Sequence, residues 1–153
     1  LVRVLFVCLG NICRSPMAEA VFRDLVKREQ LQDVIEVDSA GTGHWHEGNT
    51  PHAGTREKLE SENISWDGIL ARQVREEDWD VFDYIVPMDS SNVRNLRKLN
   101  KDAPIVKLME YVPNPKEVDV PDPYMTDNFD YTYELVVEGC HHLLKRIKED
   151  KSL

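Results

Sequence analysis

The chain has 153 residues, 19 of them Lys or Arg and 28 Asp or Glu, for a net charge of −9. That length suits one domain over residues 1–153, and 41% apolar and aromatic residues with 31% charged suit a packed globular core, not disorder. The acidic balance excludes nucleic acid as a general partner, so a site for an anion must be positive locally, against the field of the whole molecule.

Arg3–Cys8 is a short apolar run that reads as a strand buried on both faces. The longest apolar stretch, Val4–Leu9, is far below the ~20 residues a membrane-crossing helix needs. The opening LVRVLFVCLG is followed by no small-residue cleavage site, so no signal peptide is expected. Ser15 as N-cap and Pro16 in the first turn open a helix whose Ala18, Val21, Phe22, Leu25 and Val26 share one face. Val34–Val37 reads as a second strand, and Thr50-Pro51 opens a helix reaching about Glu62. Tyr84–Met88 is a third strand with Pro87 near its end, followed by a helix over Ser90–Asn100 with Val93, Leu96 and Leu99 on its buried face. Pro104–Met109 reads as a fourth strand. Glu110–Asp127, with four Pro, is a long functional loop, and a closing helix covers about 128–150 with Gly139 as a weak point.

Strands alternating with helices predict an α/β fold: an open, mostly parallel four-stranded sheet with helices on both faces. Ligands of such sheets bind at the carboxyl ends of the strands, and Cys8 ends the first one.

Between that strand and its helix runs Cys8-Leu9-Gly10-Asn11-Ile12-Cys13-Arg14-Ser15. Five residues between Cys and Arg suffice to curl the backbone into a cup whose N–H groups point inward, over a helix N-terminus that adds a positive dipole end. Gly10 and Asn11 are residue types that tolerate the positive φ of a tight curl. Arg14 offers a planar fork matched to two phosphate oxygens, and the same field favours Cys8 as a nucleophilic thiolate. Cys-x5-Arg alone is a weak pattern that a buried structural Cys and a surface Arg also produce. The Ser that follows, with a strand before and a helix after, makes it specific.

The stretch VCLGNICRSPMAEA, with Asp122-Pro123-Tyr124 far downstream, resembles the low-molecular-weight protein tyrosine phosphatases. The likeness runs over essentially the whole chain, through DSAGT at Asp38–Thr42, Trp45, ARQV at Ala71–Val74 and FDYIVPMDSSN at Phe82–Asn92, and DVPDPY brings it closest to bacterial members. The resemblance implies Cys8 as nucleophile through a phosphocysteine intermediate, Arg14 as phosphate binder, and Asp122 as general acid and then base. It implies a phosphate loop of Leu9, Gly10, Asn11, Ile12, Cys13, Arg14 and Ser15. Ser15 steadies the thiolate, and Asn11 is held by hydrogen bonds to Ser15 and Ser39. Trp45, His46 and Tyr124 would wall a slot with Leu9 and Ile12 near its floor, selecting an aromatic phosphoester. The implied partners are phosphotyrosine proteins, with inhibition by phosphate-like oxyanions, and the implied state is a monomer without cofactor or metal.

Read alone, several of these residues have plainer roles. Asp122-Pro123 is a turn former, although the proline also restricts and aims the Asp122 backbone. Trp45 can pack under its own glycine-rich loop, His46 and His44 can be solvated, and the acidic runs Glu76–Asp78 and Glu117–Asp122 can be solvated faces. Cys8, Cys13 and Cys140 contain no Cys-x-x-Cys pair and no zinc spacing, which suits a reducing cytoplasm. Loop proximity and the resemblance together make Cys13 the redox partner of Cys8. Two departures stand out: Ile69 occupies a position where some relatives carry a His that supports Asn11, and Met125 replaces a second Tyr. Relatives acting on phosphoarginine carry Thr where this chain has Ile12. A thiol arsenate reductase would need further resolving cysteines, a sugar-phosphotransfer module leaves Arg14 and Asp122 without a task, and a phosphopeptide-binding module does not need Cys8.

Overall fold

The computed structural model describes residues 1–153. In chain order it contains β1 (Val2–Cys8), α1 (Arg14–Arg28), β2 (Ile35–Gly41), α2 (Ala53–Ser61), α3 (Asp78–Val81), β3 (Tyr84–Pro87), α4 (Ser90–Leu99), a 3-10 turn at Leu108–Tyr111, α5 (Pro123–Thr126) and α6 (Phe129–Lys151). Apolar at every position except Arg3, β1 pairs in parallel with β2 on one side and β3 on the other. Alternation along β1 sends Val2, Val4, Phe6 and Cys8 into the large core with residues of α1 and α6. Leu5 and Val7 face the other way and pack with Ala40, Ile85 and Leu96 of α4. Helices therefore cover both faces, as the alternation of elements predicts.

The sheet has three strands in the order β2-β1-β3, not four. The expected strand Pro104–Met109 reduces to a single parallel bridge between Ile105 and Ile85. Adjacent residues of a strand point to opposite faces, but Leu108 and Met109 are both buried in the same core, and a 3-10 turn delivers both. Gly139 of α6 receives that turn: a Cβ there would run into the Leu108 side chain. What reads as a weak point in the helix is thus the place where the turn presses closest.

Three further expectations are corrected. β2 runs on to Gly41 because Asp38–Gly41 stays in register with Leu5–Cys8. α1 begins at Arg14 with Cys13 in the cap position, so Ser15 is inside the helix and its hydroxyl is free for other partners. α2 begins at Ala53, capped by the His52 imidazole, which accepts from the Gly54 N–H at 3.0 Å. No helix is long and apolar enough to cross a membrane.

Because β1 has β2 on one side and β3 on the other, its carboxyl end is a topological switch point, where an open α/β sheet leaves a crevice for ligands. The loop after Cys8 lies there.

Candidate active site

The N–H groups of Leu9 through Cys13, five in a row, have no hydrogen-bond partner within the chain. Unpaired donors in a curl over a helix N-terminus form a receptor for an anion. The outside of the curl is pinned instead. Thr42 donates its N–H to the Cys8 carbonyl at 3.0 Å, Gly43 to Leu9 at 2.9 Å, and His52 to Ile12 at 2.7 Å. Gly41 permits this contact, since a Cβ there would lie 2.8 Å from the Leu9 carbonyl oxygen. Only Asn11 of the loop is left-handed, at φ 58°. Gly10 is not, and what its missing side chain provides is room for His46, whose ring carbon would stand 3.0 Å from a Cβ.

Asn11 organises the interior. Its Oδ1 accepts the Arg72 N–H at 3.0 Å, which fixes the amide orientation and leaves both Nδ2 hydrogens as donors, to Ser15 Oγ at 2.8 Å and Ser39 Oγ at 2.9 Å. A hydroxyl that accepts one hydrogen bond has its own hydrogen to give. A thiolate at Cys8 can only accept, so Ser15 then donates to Sγ at 2.9 Å, and Ser39 donates to Glu19 Oε1 at 2.6 Å. Both branches run from donor to acceptor, one ending on the sulfur and the other on a buried carboxyl group. Ile69 takes no part in supporting Asn11; it is buried in the core, and the Arg72 backbone supplies the contact. Burial, helped by the Asp38 charge, pushes the Glu19 carboxyl up to about 7, against the pull of Ser39, Arg23 and Arg72.

Arg14 is only 3% exposed. Its Nη1 donates to Asp89 Oδ2 at 2.6 Å and to the Val120 carbonyl at 2.8 Å. Burial works against its charge, but Cys8 and Asp89 outweigh that and hold the guanidinium above its ordinary value. Asp89 serves two elements at once, because its Oδ1 caps α4 by accepting the Asn92 N–H at 2.7 Å. The same arginine thus ties the loop after β1 to the residue after β3 and to the proline-rich segment. That segment is held by the Val120 N–H to Met88 at 3.0 Å and by Asp119, which accepts from Lys107 at 2.8 Å.

Asp122 closes the rim in an extended conformation before Pro123. Its Oδ1 caps α5 through the Tyr124 N–H at 3.1 Å, and its Oδ2 lies 3.8 Å from Arg14 Nη2. With Cys8 and Arg14 it lines an open-mouthed cavity of about 160 Å³ walled by Trp45, His46 and Tyr124. Ile12 and Cys13 also face it. Leu9, expected near the floor, is 43% exposed and belongs to the rim. The Cys13 thiol is pushed up to about 12 by burial first and then by the Cys8 and Asp122 charges.

Neither acidic run is simply solvated. Asp78 is buried against Arg72, and Asp119 is bound to Lys107 and Ser90. Sequence reasoning missed Asp89, Glu19 and His52. Asp89 stands just before a helix at the carboxyl end of β3, a position that could have flagged it. Glu19 lies within the loop-proximal stretch MAEA, but nothing local marks its burial. His52 begins a helix beside Pro51, and its ring stacks on Phe129 at 5.3 Å and meets Tyr124 edge-on at 5.8 Å.

Fold and site together define an α/β protein with a cysteine set under an anion-receiving loop at the sheet's switch point. A family model described as low molecular weight phosphotyrosine protein phosphatase matches residues 3–153, and the chain belongs to that family. It is 52% identical to the low molecular weight protein-tyrosine-phosphatase YfkJ of Bacillus subtilis, with all of both chains covered. Against PtpA of Staphylococcus aureus the identity is 47%, over the whole of this chain and 98% of the relative. The crystal structure of YfkJ superposes with a TM-score of 0.95 over 99% of this chain and 97% of that one. A protein tyrosine phosphatase from Entamoeba histolytica, 34% identical, superposes at 0.90 over 97% of each chain.

Proposed function

We propose that this chain hydrolyses phosphotyrosine in phosphoproteins through a phosphocysteine intermediate. The observation that carries the reading is Cys8 at the base of five unpaired amides, with the Ser15 hydroxyl aimed at its sulfur and the Arg14 fork beside it. The amides and Arg14 take the three non-bridging oxygens, which leaves phosphorus facing Sγ. As the Cys8 thiolate forms the S–P bond, the P–O bond to the aryl oxygen breaks and Asp122 protonates that oxygen. Asp122, now a carboxylate, takes a proton from water as the water attacks phosphorus, and phosphate leaves with the thiolate restored. Asp89 and Val120 fix the guanidinium plane, while Asn11, Ser15 and Ser39 support the loop. Arg14 and the amides would also hold phosphate-like oxyanions as inhibitors.

An apolar slot between Trp45 and Tyr124 suits an aryl ester over a short alkyl one, and Ile12 in place of Thr favours phosphotyrosine over phosphoarginine. The three free thiols support a reducing cytoplasmic setting, and the reading needs only one copy of the chain. The test is hydrolysis of p-nitrophenyl phosphate and a phosphotyrosine peptide in the presence of chelator. Wild type should turn over both. Cys8→Ser should be inactive yet bind phosphate, and Arg14→Lys should fail because a point charge cannot replace the fork. Activity in Cys8→Ser, or loss of wild-type activity in chelator, overturns the mechanism.

A further inference from the structure

α4 does not end as its pattern predicts. Of the face Val93, Leu96 and Leu99, Leu96 is fully buried, but Leu99 is 58% exposed. Across from it stand Leu9 and Trp45, themselves 43% and 65% exposed. Together with Gly43, Asn95 and Lys98 these residues line a second open cavity of about 260 Å³. It shares Leu9 and Trp45 with the cavity above Cys8, so the two are the opposite slopes of one apolar ridge.

The charge around this second cavity runs against that of the molecule. In a chain of net charge −9, α4 and its next turn carry Arg94, Arg97, Lys98 and Lys101. None of the four belongs to any of the ion pairs in the structure, and Arg97 bonds only the carbonyls of Lys101 and Ala103. Arg94 and Lys98, four apart, share one side of the helix, next to the apolar lining. The other wall of the phosphate cavity bears Asp122.

We propose that this cavity is the subsite for the part of the phosphoprotein beside its phosphotyrosine, taking an apolar side chain against Leu9, Trp45 and Leu99 and an acidic side chain at Lys98 and Arg94. The proposal rests on the phosphotyrosine reading above and adds to it a sequence preference. An extended peptide whose phosphotyrosine descends one slope of the ridge carries its residue two positions away about 7 Å along, over the crest. Charge then orients the peptide, because a flanking carboxylate is drawn to Lys98 and Arg94. An exposed ion pair contributes little, so the expected preference is modest, about 2- to 5-fold per charge.

The experiment compares kcat/KM on phosphotyrosine peptides carrying Glu-Leu, Lys-Leu or Ala-Ala within three residues on either side, with p-nitrophenyl phosphate as a substrate too small to reach the cavity. Wild type should favour Glu-Leu on one side, and the preference should shrink as salt is raised. Lys98→Glu and Arg94→Glu should each abolish or invert it while leaving p-nitrophenyl phosphate turnover unchanged. Leu99→Ser should lower kcat/KM for Glu-Leu but not for Ala-Ala. Equal rates on all peptides, or the same preference in Lys98→Glu, overturn the subsite and leave the phosphatase reading standing. Turnover of p-nitrophenyl phosphate with none of any phosphotyrosine peptide overturns both.

Discussion

Asp122 holds a helix with one oxygen and turns the other toward Arg14. Because Oδ1 caps α5, Asp122→Asn keeps the cap and removes only the proton, which makes it a cleaner test than Ala. With p-nitrophenyl phosphate the leaving group is stable as an anion, and the variant should lose comparatively little. With phosphotyrosine the phenolate has a pKa near ~10, and the loss should reach roughly 10²–10⁴-fold. A uniform loss across a leaving-group series would reduce Asp122 to a shaper of its loop. Asp119 is no substitute acid, since Lys107 and Ser90 hold its carboxyl below its usual range despite partial burial.

Cys13 sets a second expectation at the same scale. Its thiol stands at about 12 through burial and then the charges of Cys8 and Asp122, so it is inert while Cys8 is reduced. Peroxide converts Cys8 to an uncharged sulfenic acid and removes one of those causes. The Cys13 sulfur then displaces hydroxide from the Cys8 sulfur, giving a disulfide and water. Capture should quicken with pH, by about tenfold per unit below the thiol's pKa. Dithiothreitol should restore activity to oxidised wild type and much less to oxidised Cys13→Ser; equal recovery would remove Cys13 from this role.

At the scale of elements, two glycines separate catalysis from stability. A Cβ on Gly139 meets the side chain of Leu108, and one on Gly41 meets the backbone oxygen of Leu9. Gly139→Ala gains about 1 kcal/mol of helix propensity and costs about 1–3 kcal/mol of overpacking, so the urea midpoint should fall with kcat nearly unchanged. Gly41→Ala pushes on the loop between β1 and α1 itself, and a displacement approaching 1 Å there should cost on the order of 10–100-fold in kcat. The same size of substitution thus reads out differently according to what stands opposite. If both variants lost only stability, the Leu9–Gly41 contact would have no bearing on the loop.

Glu19 connects the site to the stability of the molecule. Its folded pKa of about 7 lies above its ordinary 4.5, so between these values the native state holds a proton that the unfolded chain has released. Stability from this group is therefore present below about 4.5, declines as pH rises to about 7, and is level beyond. Glu19→Gln keeps an acceptor for Ser39 and should remove that slope, becoming the more stable protein by roughly 3 kcal/mol at pH 8 while matching wild type near pH 4. Urea midpoints across this range test it, and parallel curves for the two proteins would mean that Glu19 ionises as freely folded as unfolded.

The segment from Cys8 to Ser15 was legible in the sequence because its chemistry is contiguous: five residues between a strand and a helix determine a curl from near-neighbour geometry alone. The parallel α/β fold was legible for a similar reason, since periodicity and alternation are local. Tertiary structure alone decided what holds that loop. Arg14 found Asp89 and Val120, 75 and 106 residues away, and Asn11 found Arg72 in place of a histidine at Ile69. It also decided that Leu108 and Met109 leave the sheet and that Leu99 stays outside the core. Such choices depend on which surfaces meet when helices pack on both faces of a sheet, and no window of sequence contains both surfaces.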